Sequence, residues 1–330
     1  MKIRWLVLGV AVVGLLVPAF MLTGARILEP GGGRGIRLVS FTPYAIGLYA
    51  LAVVLLLLVL ARGRGTWRRV GGWSGVLVLL LLGLHVLWVS EMYVGATDDA
   101  ARPRATFTVM TANLLRGDAD PTRVVQLARE HDVDICVLSE ITARAQSAIE
   151  RAGLAKALPH SAGEAGPGVS GTMIFSAREM SAVTPLDTSL RGFSLDVEMA
   201  RRTVHLIAVH PAPPTGDASQ WRADHATIRR DAGAASGPTV IAGDLNATRD
   251  HQPLRELSGR GFEDAAEQAN SGWQPTWPAS GEVALLGVPV PPLLSIDHVL
   301  VHDGLSVIDT EAVSIPGTDH RALFATLAAQ

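Results

Sequence analysis

Three long apolar runs, residues 5–23, 38–61 and 73–94, occupy most of the first 94 positions of a 330-residue chain. Each is long enough to cross a hydrocarbon core of about 30 Å as a helix, and none contains Lys, Arg or Asp. A soluble domain has little use for three such helices in succession, so residues 1–96 are expected to form a membrane anchor. Trp5, Trp73, Trp88 and Tyr93 stand at or near the run ends, where amphipathic rings favour the membrane interface. Beyond Val94 no run approaches this length, and the remainder is ample for one domain with a large core.

Charge divides the chain at the same place. Up to Val94 there are nine basic and two acidic residues, a net +7; the rest holds 19 basic and 29 acidic residues, a net −10. Lys2 and Arg4 lie before the first run, and Arg62, Arg64, Arg68 and Arg69 lie between the second and third. The first connection carries Arg26, Arg34 and Arg37 against Glu29, with the Gly-rich stretch 31–35 read as a loop. The positive-inside bias then places the N-terminus in the cytoplasm. Three crossings put the acidic portion outside, so the expectation is a multi-pass cell-membrane protein with an extracytoplasmic domain. With its charged start and apolar centre the first run could also serve as a signal peptide, but no convincing A-x-A site follows it, so the reading preferred is an uncleaved anchor; cleavage would leave the later crossings and the domain where they are. His85, mid-run in the third segment, is expected to make a polar contact inside the helix bundle.

An acidic domain lacks the basic surface by which proteins capture nucleic acid broadly. Cys136 is the only cysteine, which excludes an intramolecular disulfide, and its apolar setting predicts a buried hydrophobe and not a reactive thiol.

After a polar linker at 97–104, residues 105–330 alternate short β-like runs with helical stretches. Strands are expected at 107–113, 134–138, 171–176, 193–199, 203–209, 239–242, 296–301, 306–313 and 322–327. Helices should start behind Asp120-Pro121, Thr142 and Asp217, with another at 254–261. Several strands succeed one another without helices between them. That pattern predicts an α/β fold in which two packed mixed sheets are flanked by outer helices, a four-layer sandwich.

Polar side chains recur where these strands end. They are Asn113, Glu140, His210 in Val209-His210-Pro211, Asp244 and Asn246 in Gly243-Asp244-Leu245-Asn246, Asp297 in Ile296-Asp297-His298, and Asp319-His320 behind Thr318. Singly, each is more often a turn residue or a helix cap than a functional group. A carboxylate directly behind a buried strand, as at Glu140, must be solvated, paired or bound to a cation. His205, His225, His251, His298 and His302 read as surface or strand-face residues. Trp273 and Trp277 read as loop-packing aromatics that could rim a cleft, and 285–294 as an apolar loop able to touch lipid.

Together and in this order, the segments resemble the endonuclease/exonuclease/phosphatase superfamily over about residues 106–327. The resemblance implies a divalent-metal-dependent phosphoesterase using Mg²⁺, or Mn²⁺ in its place. Glu140 and Asp319 would bind the metal, and Asp244 would orient or deprotonate the attacking water. Asn113 and Asn246 would donate to phosphate oxygens, His210 and His320 would stabilise developing charge, and Asp297 would hold His320. Two departures stand out: Thr318 replaces the more usual Ser, and Leu115 occupies a place where nuclease members often carry an acid, with Asp118 further along.

Three spans before such a domain also resemble bacterial teicoplanin-resistance membrane proteins. That resemblance implies an outward-facing site acting on polyprenyl pyrophosphate or a cell-wall precursor, with a membrane lipid or lipid-linked phosphate and the bilayer itself as partners. An extracytoplasmic nuclease or nucleotide phosphodiesterase is the alternative, and an inactive binding module the third reading.

Overall fold

The computed structural model describes residues 2–94, 106–199, 202–279, 281 and 284–329. The chain divides into two compact units, Met1–Glu91 and Met92–Gln330. The expected linker at 97–104 lies outside the described residues.

The first unit holds α1 (Lys2–Leu28), α2 (Gly33–Val39), α3 (Ala45–Arg62) and α4 (Thr66–Ser90). Three stretches, Trp5–Leu28, Thr42–Arg62 and Thr66–Ser90, are long and apolar enough to cross a membrane. Their bounds differ from those expected. The first runs on past Thr23, and the Gly-rich stretch is not all loop, because α2 begins at Gly33. A 3-10 turn at Thr42–Tyr44 interrupts the second run where Pro43 removes a backbone donor. The third starts at Thr66, not 73, so Arg68 and Arg69 sit in the first turns of α4 and the connection shrinks to Gly63–Gly65. Both Arg side chains are exposed there, and their long stems let the charged heads reach away from the helix.

Fully buried Ala19, Ala45, Tyr49 and Ala52 line the packed faces of α1 and α3, small residues letting helices approach closely. The buried His85 Nε2 lies 2.9 Å from Thr23 Oγ1, which lies 2.7 Å from the Tyr49 hydroxyl, and His85 Nδ1 lies 3.1 Å from the Thr42 carbonyl. His85 is thus the bundle contact the sequence led us to expect. Trp5 stacks on Trp67 with ring centroids 6.4 Å apart, and the Arg26 guanidinium lies 3.8 Å over the Trp88 ring. These two contacts pair the N-terminal ends and then the C-terminal ends of α1 and α4, which therefore run parallel.

The second unit proceeds β1 (Thr106–Asn113), α5 (Pro121–Glu130), β2 (Val133–Ser139), α6 (Ala143–Ala152), β3 (His160–Glu164), β4 (Thr172–Ser176), β5 (Met180–Leu186), β6 (Gly192–Met199) and β7 (Arg202–Val209). It continues through α7 (Ala218–Ala234), β8 (Thr239–Asp244), α8 (Gln252–Ser258), β9 (Glu263–Asp264), α9 (Ala265–Gln268), β10 (Ala284–Leu285), β11 (Val288–Pro289), β12 (Asp297–His302), β13 (Leu305–Ser314) and β14 (Arg321–Ala329). Asp120, Thr142 and Asp217 each accept a backbone N–H from the first turn of the helix behind them, as N-caps do.

Two six-stranded mixed sheets form, ordered β13-β14-β1-β2-β4-β3 and β5-β6-β7-β8-β12-β9. Alternate residues of both sheets, among them Val109, Val137, Leu206, Val240 and Val299, interdigitate in one buried cluster. The other face of the first sheet, with Met110, Cys136 and Leu138, packs on Val124, Leu127 and Ile149 of α5 and α6. This is the expected four-layer architecture. Burial drives the Cys136 thiol pKa up to about 12, consistent with an inert core residue.

Topology gathers the polar strand ends. β1 runs parallel to β2, with Asn113 opposite Ser139, and β7 parallel to β8, with Val209 opposite Gly243. β14 and β12 run antiparallel to β1 and β8, so their first residues meet the others' last; Asp297 lies opposite Asp244. Gly243 is required there, because a Cβ on it would fall 1.9 Å from the Val209 carbonyl oxygen.

Candidate active site

Asn113 is the joint between the two sheets. Its buried amide nitrogen donates to Glu140 Oε1 at 3.1 Å and to Asp244 Oδ2 at 3.0 Å, while its oxygen accepts from Leu115 N at 2.9 Å. Both amide hydrogens thus hold carboxylates, and are not free for the phosphate oxygens they were expected to meet. Glu140 Oε2 accepts from Arg116 N at 2.8 Å. Glu140 and Asn246 adopt φ of +56° and +47°, a conformation that costs non-glycine residues energy and clusters at active sites.

His210 and His320 flank the same carboxylate. Their Nε2 atoms lie 3.6 and 3.7 Å from Asp244 Oδ2, and His210 Nε2 lies 3.9 Å from Glu140 Oε1. Asp297 Oδ2 lies 2.8 Å from His320 Nδ1, and Thr318 Oγ1 donates to the Asn113 carbonyl at 2.8 Å while accepting from His320 N. The hydroxyl at 318 therefore performs a local task that either Ser or Thr can perform. Burial pulls the His320 pKa down, but Asp297, Asp244 and Asp319 outweigh it and lift it to about 10. The imidazole is thereby held as a cation at neutral pH. Burial raises the Asp244 carboxyl above its usual range, against the opposing pull of His320, which moves it toward the behaviour of a useful base.

The donor set suits a hard cation. Glu140, Asp244, Asp297 and Asp319 concentrate carboxylate oxygens, the ligands that Mg²⁺ and Mn²⁺ prefer, and buried Asp319 Oδ1 has no hydrogen-bond partner. The tightest ligand-like group among the described residues is another one, Asp244, Asp297 and His320, with atoms within 4.8 Å of one another. Its 2.8 Å Asp297–His320 contact is a hydrogen bond and leaves no room for an ion between the two. That trio is better read as a carboxylate–imidazole–carboxylate relay. Asp118 offers no substitute for an acid at Leu115: its half-exposed carboxylate pairs with Arg144 at 2.9 Å.

Several residues that sequence reading placed at the surface are buried supports of the site. His225, His251 and His298 are 0, 2 and 3% exposed. Trp221 Nε1 donates to the Asn246 carbonyl at 3.0 Å, His225 Nε2 lies 3.1 Å from the Leu245 carbonyl and His298 Nε2 2.9 Å from that of Ala247. Three successive carbonyls behind Asp244 are thus pinned. Asp224 accepts Ala212 N at 2.8 Å, just behind His210, and Asn246 Nδ2 donates to Pro211 O at 3.0 Å. Trp221, Asp224 and His225 share one face of α7, and that spacing is the signal from which they could have been found. Burial forces the His225 pKa down to about 3, so it is neutral. His205 is half-buried against Asp196 at 2.8 Å, and His302 stacks on Phe262. Trp277 is tied into the site, donating from Nε1 to Asp319 Oδ2 at 3.0 Å.

His298 Nδ1 lies 2.5 Å from Asp264 Oδ2. Burial disfavours both charges, yet their mutual attraction holds His298 above and Asp264 below the usual values. His298→Leu would strand a buried carboxylate and free the Ala247 carbonyl. We expect destabilisation of about 3–5 kcal/mol, measured by denaturant unfolding, together with slower turnover as the Asn246 loop loosens. A loss under about 1 kcal/mol would show that Asp264 readily finds solvent.

The sequence profile of the Endonuclease/Exonuclease/phosphatase family matches residues 110–320, an interval that contains Asn113, Glu140, His210, Asp244, Asn246, Asp297, Asp319 and His320. Among solved structures, an endonuclease/exonuclease/phosphatase from Beutenbergia cavernae is similar at 19% identity and TM-score 0.53, covering 69% of this chain and 72% of that one. Truncated Caenorhabditis elegans TDP2 is similar at 18% identity and TM-score 0.54, covering 68% and 98%. D. rerio TDP2 complexed with single strand DNA product is similar at 12% identity and TM-score 0.57, covering 68% and 100%. At such identities the likeness is one of fold. No curated protein matches the sequence.

Proposed function

Because the chain belongs to the endonuclease/exonuclease/phosphatase family, we propose that it is a membrane-anchored, divalent-metal-dependent phosphoesterase cleaving a phosphate or pyrophosphate ester at the outer face of the membrane. Polyprenyl pyrophosphate, or a related cell-wall precursor, is the substrate class that fits best. The observation carrying this reading is the convergence of Asn113, Glu140, His210, Asp244, Asp297 and His320 at one edge of the sandwich, in a chain that also has three helices able to cross a membrane.

Glu140 and Asp319 would hold the metal, which when bound supplies positive charge against the phosphate oxygens. Asp244 Oδ2 takes the proton from the attacking water as its oxygen bonds to phosphorus and the ester P–O bond breaks. His320, kept cationic by Asp297, and His210 offer N–H groups to the oxygens on which charge accumulates, a preorganised electrostatic role. Asn113 keeps the Glu140 and Asp244 carboxylates from swinging apart.

A nucleic-acid substrate is the second reading, since D. rerio TDP2, a neighbour in fold, is described with a single strand DNA product. The net −10 of residues 95–330 and the leucine at 115 weigh against it here. Purified full-length protein should release phosphate from polyprenyl pyrophosphate in detergent micelles when Mg²⁺ is present. Efficient DNA cleavage without that release would reverse the choice.

The outward placement rests on the basic flanks of the anchor. The parallel course of α1 and α4 puts the start of α1 and the basic α3–α4 connection at the same end of the bundle, and the chain leaves α4 at the other. Protease added to sealed, right-side-out membrane vesicles should remove the second unit. Protection until the vesicles are lysed would invert the topology.

A further inference from the structure

Beyond Val94, at the very start of the second unit, the most exposed large apolar side chains among the described residues of that unit are gathered on one small hairpin. β10 and β11 pair Ala284 with Pro289 and Leu285 with Val288, joined by Leu286 and Gly287 at φ of +52° and +80°. Two successive positive φ values make the tight turn that suits a two-residue hairpin, a place where Asn or Gly is usual and Leu is costly. Leu286 is 97% exposed, Leu285 69% and Val288 66%. No charged residue occurs from Ala284 to Ile296. Single exposed hydrophobic residues need no explanation, but a contiguous, uncharged apolar tip marks an interaction site.

The base of this arm is fixed to the active site. Trp277 N and Leu294 O are 2.9 Å apart, and Leu293 N and Leu294 N both donate to Trp277 O. Trp277 Nε1 donates to Asp319 Oδ2, and Ala279 N donates to the Asp319 carbonyl at 2.7 Å. The loop leading into the arm also bonds to the start of the unit, where Gly272 N donates to Met92 O at 3.0 Å. Met92 lies only two residues along the chain from Ser90, the last residue of a helix able to cross a membrane.

We propose that the β10–β11 hairpin is a lipid-contact arm whose Leu285, Leu286 and Val288 enter the bilayer interface while its base holds Asp319 through Trp277. The bilayer is the occupant that this chain itself supplies, because the unit that carries the arm begins two residues along the chain from the end of a helix able to cross a membrane. Apolar side chains gain by leaving water for the acyl boundary, and the absence of charge on the tip removes the cost that would oppose entry. The inference rests on the membrane location proposed above and not on the choice of substrate.

The test uses the full-length chain reconstituted in phosphatidylcholine–phosphatidylglycerol vesicles. Cys136 is fully buried, so an environment-sensitive fluorophore can be attached selectively to Leu286→Cys. Its emission should shift to the blue and be quenched by spin-labelled lipid. Label on Ile308→Cys, an exposed residue of β13, should show neither effect. Label on Leu57→Cys in α3 should be quenched whatever the arm does, so loss of that signal would refute the membrane reading instead. Quenching at 57 without quenching at 286 would overturn the arm, as would energy transfer between labelled copies at 286 in place of lipid quenching. In a second arm, combined Leu285→Ser, Leu286→Ser and Val288→Ser should slow hydrolysis of a vesicle-embedded ester and spare a soluble nitrophenyl phosphodiester. Equal loss on both substrates would reduce the hairpin to a structural element.

Discussion

Asp244→Asn is expected to slow hydrolysis by about 10³-fold, within the range that loss of a positioned general base produces. Asp244 Oδ2 is where Asn113 Nδ2, His210 Nε2 and His320 Nε2 converge, at 3.0, 3.6 and 3.7 Å. Among the described residues, no other side chain in the site faces both imidazoles and the inter-sheet amide. The introduced carboxamide could keep its oxygen toward Asn246 N, the bond that Asp244 Oδ1 accepts at 2.8 Å, but its NH₂ would then confront the Asn113 amide donor. A donor facing a donor in a buried place costs about 1–3 kcal/mol, so a modest fall in Tm should accompany the kinetic loss. Asp244→Ala, which removes the clash, separates the two effects: stability should partly recover and turnover should not. Glu140→Gln supplies the contrast. It should raise the Mg²⁺ concentration needed for half-maximal rate, and excess Mg²⁺ should restore part of its activity but none of that of Asp244→Asn. Rapid turnover by Asp244→Asn would assign the base elsewhere, His210 being the next group in reach.

The interior strands and the clustering of polar strand ends that makes the candidate site were legible in the sequence for the same reason. β1, β2, β4, β8 and β12 are covered on both faces, and β7 over its second half, so each reads as an apolar run, and the polar residue where the run stops marks the sheet edge. β3, β5 and β9 were missed, and all three are edge strands. Residues 160–164 and 180–186 are largely half-buried or exposed, and β5 even contains Pro185, tolerated because an edge strand need not donate on both sides. The hairpin at 284–289 is two residues deep on each side and pairs with neither main sheet. The supports of the site were harder to read for a different reason, since the spacing of Trp221, Asp224 and His225 marks a shared helix face but not that the face is buried. His225 and Asp224 belong to the polar helix α7, and His298 stands in β12 at a position that alternation alone does not assign to the interior; only the packing of α7 and β12 against the loops behind His210 and Asp244 makes their polarity internal. Asp297, by contrast, was legible through family resemblance alone, since an Asp beginning a strand carries no signal of the imidazole it will meet.

That imidazole makes Asp297→Asn the second large effect: turnover should fall by about 10²–10³-fold, within the range for a positioned acid–base group, with little change in substrate affinity. The contact between Asp297 Oδ2 and His320 Nδ1 is 2.8 Å, and Asn could still accept the ring hydrogen, so orientation survives while charge is lost. Burial opposes the His320 cation, and Asp297 is the leading influence lifting its pKa to about 10. Without it, His320 should approach neutrality at pH 7 and offer a weaker N–H to the oxygens that gain charge in the transition state. Such a loss is felt in kcat and kcat/KM together. The variant should regain rate as the pH is lowered until its imidazole is again protonated, whereas the native protein should not. Stability follows the same linkage. A histidine whose folded pKa lies above its unfolded value of about 6.5 stabilises the fold fully below that value, and the contribution disappears as the pH rises through the folded pKa. Measured by unfolding in chelator, the deficit of Asp297→Asn should be largest below pH ~6.5 and should fade as the pH rises toward the folded value of about 10. A variant with native turnover and a pH-independent deficit would leave Asp297 as a strand-end acid that only packs against His320.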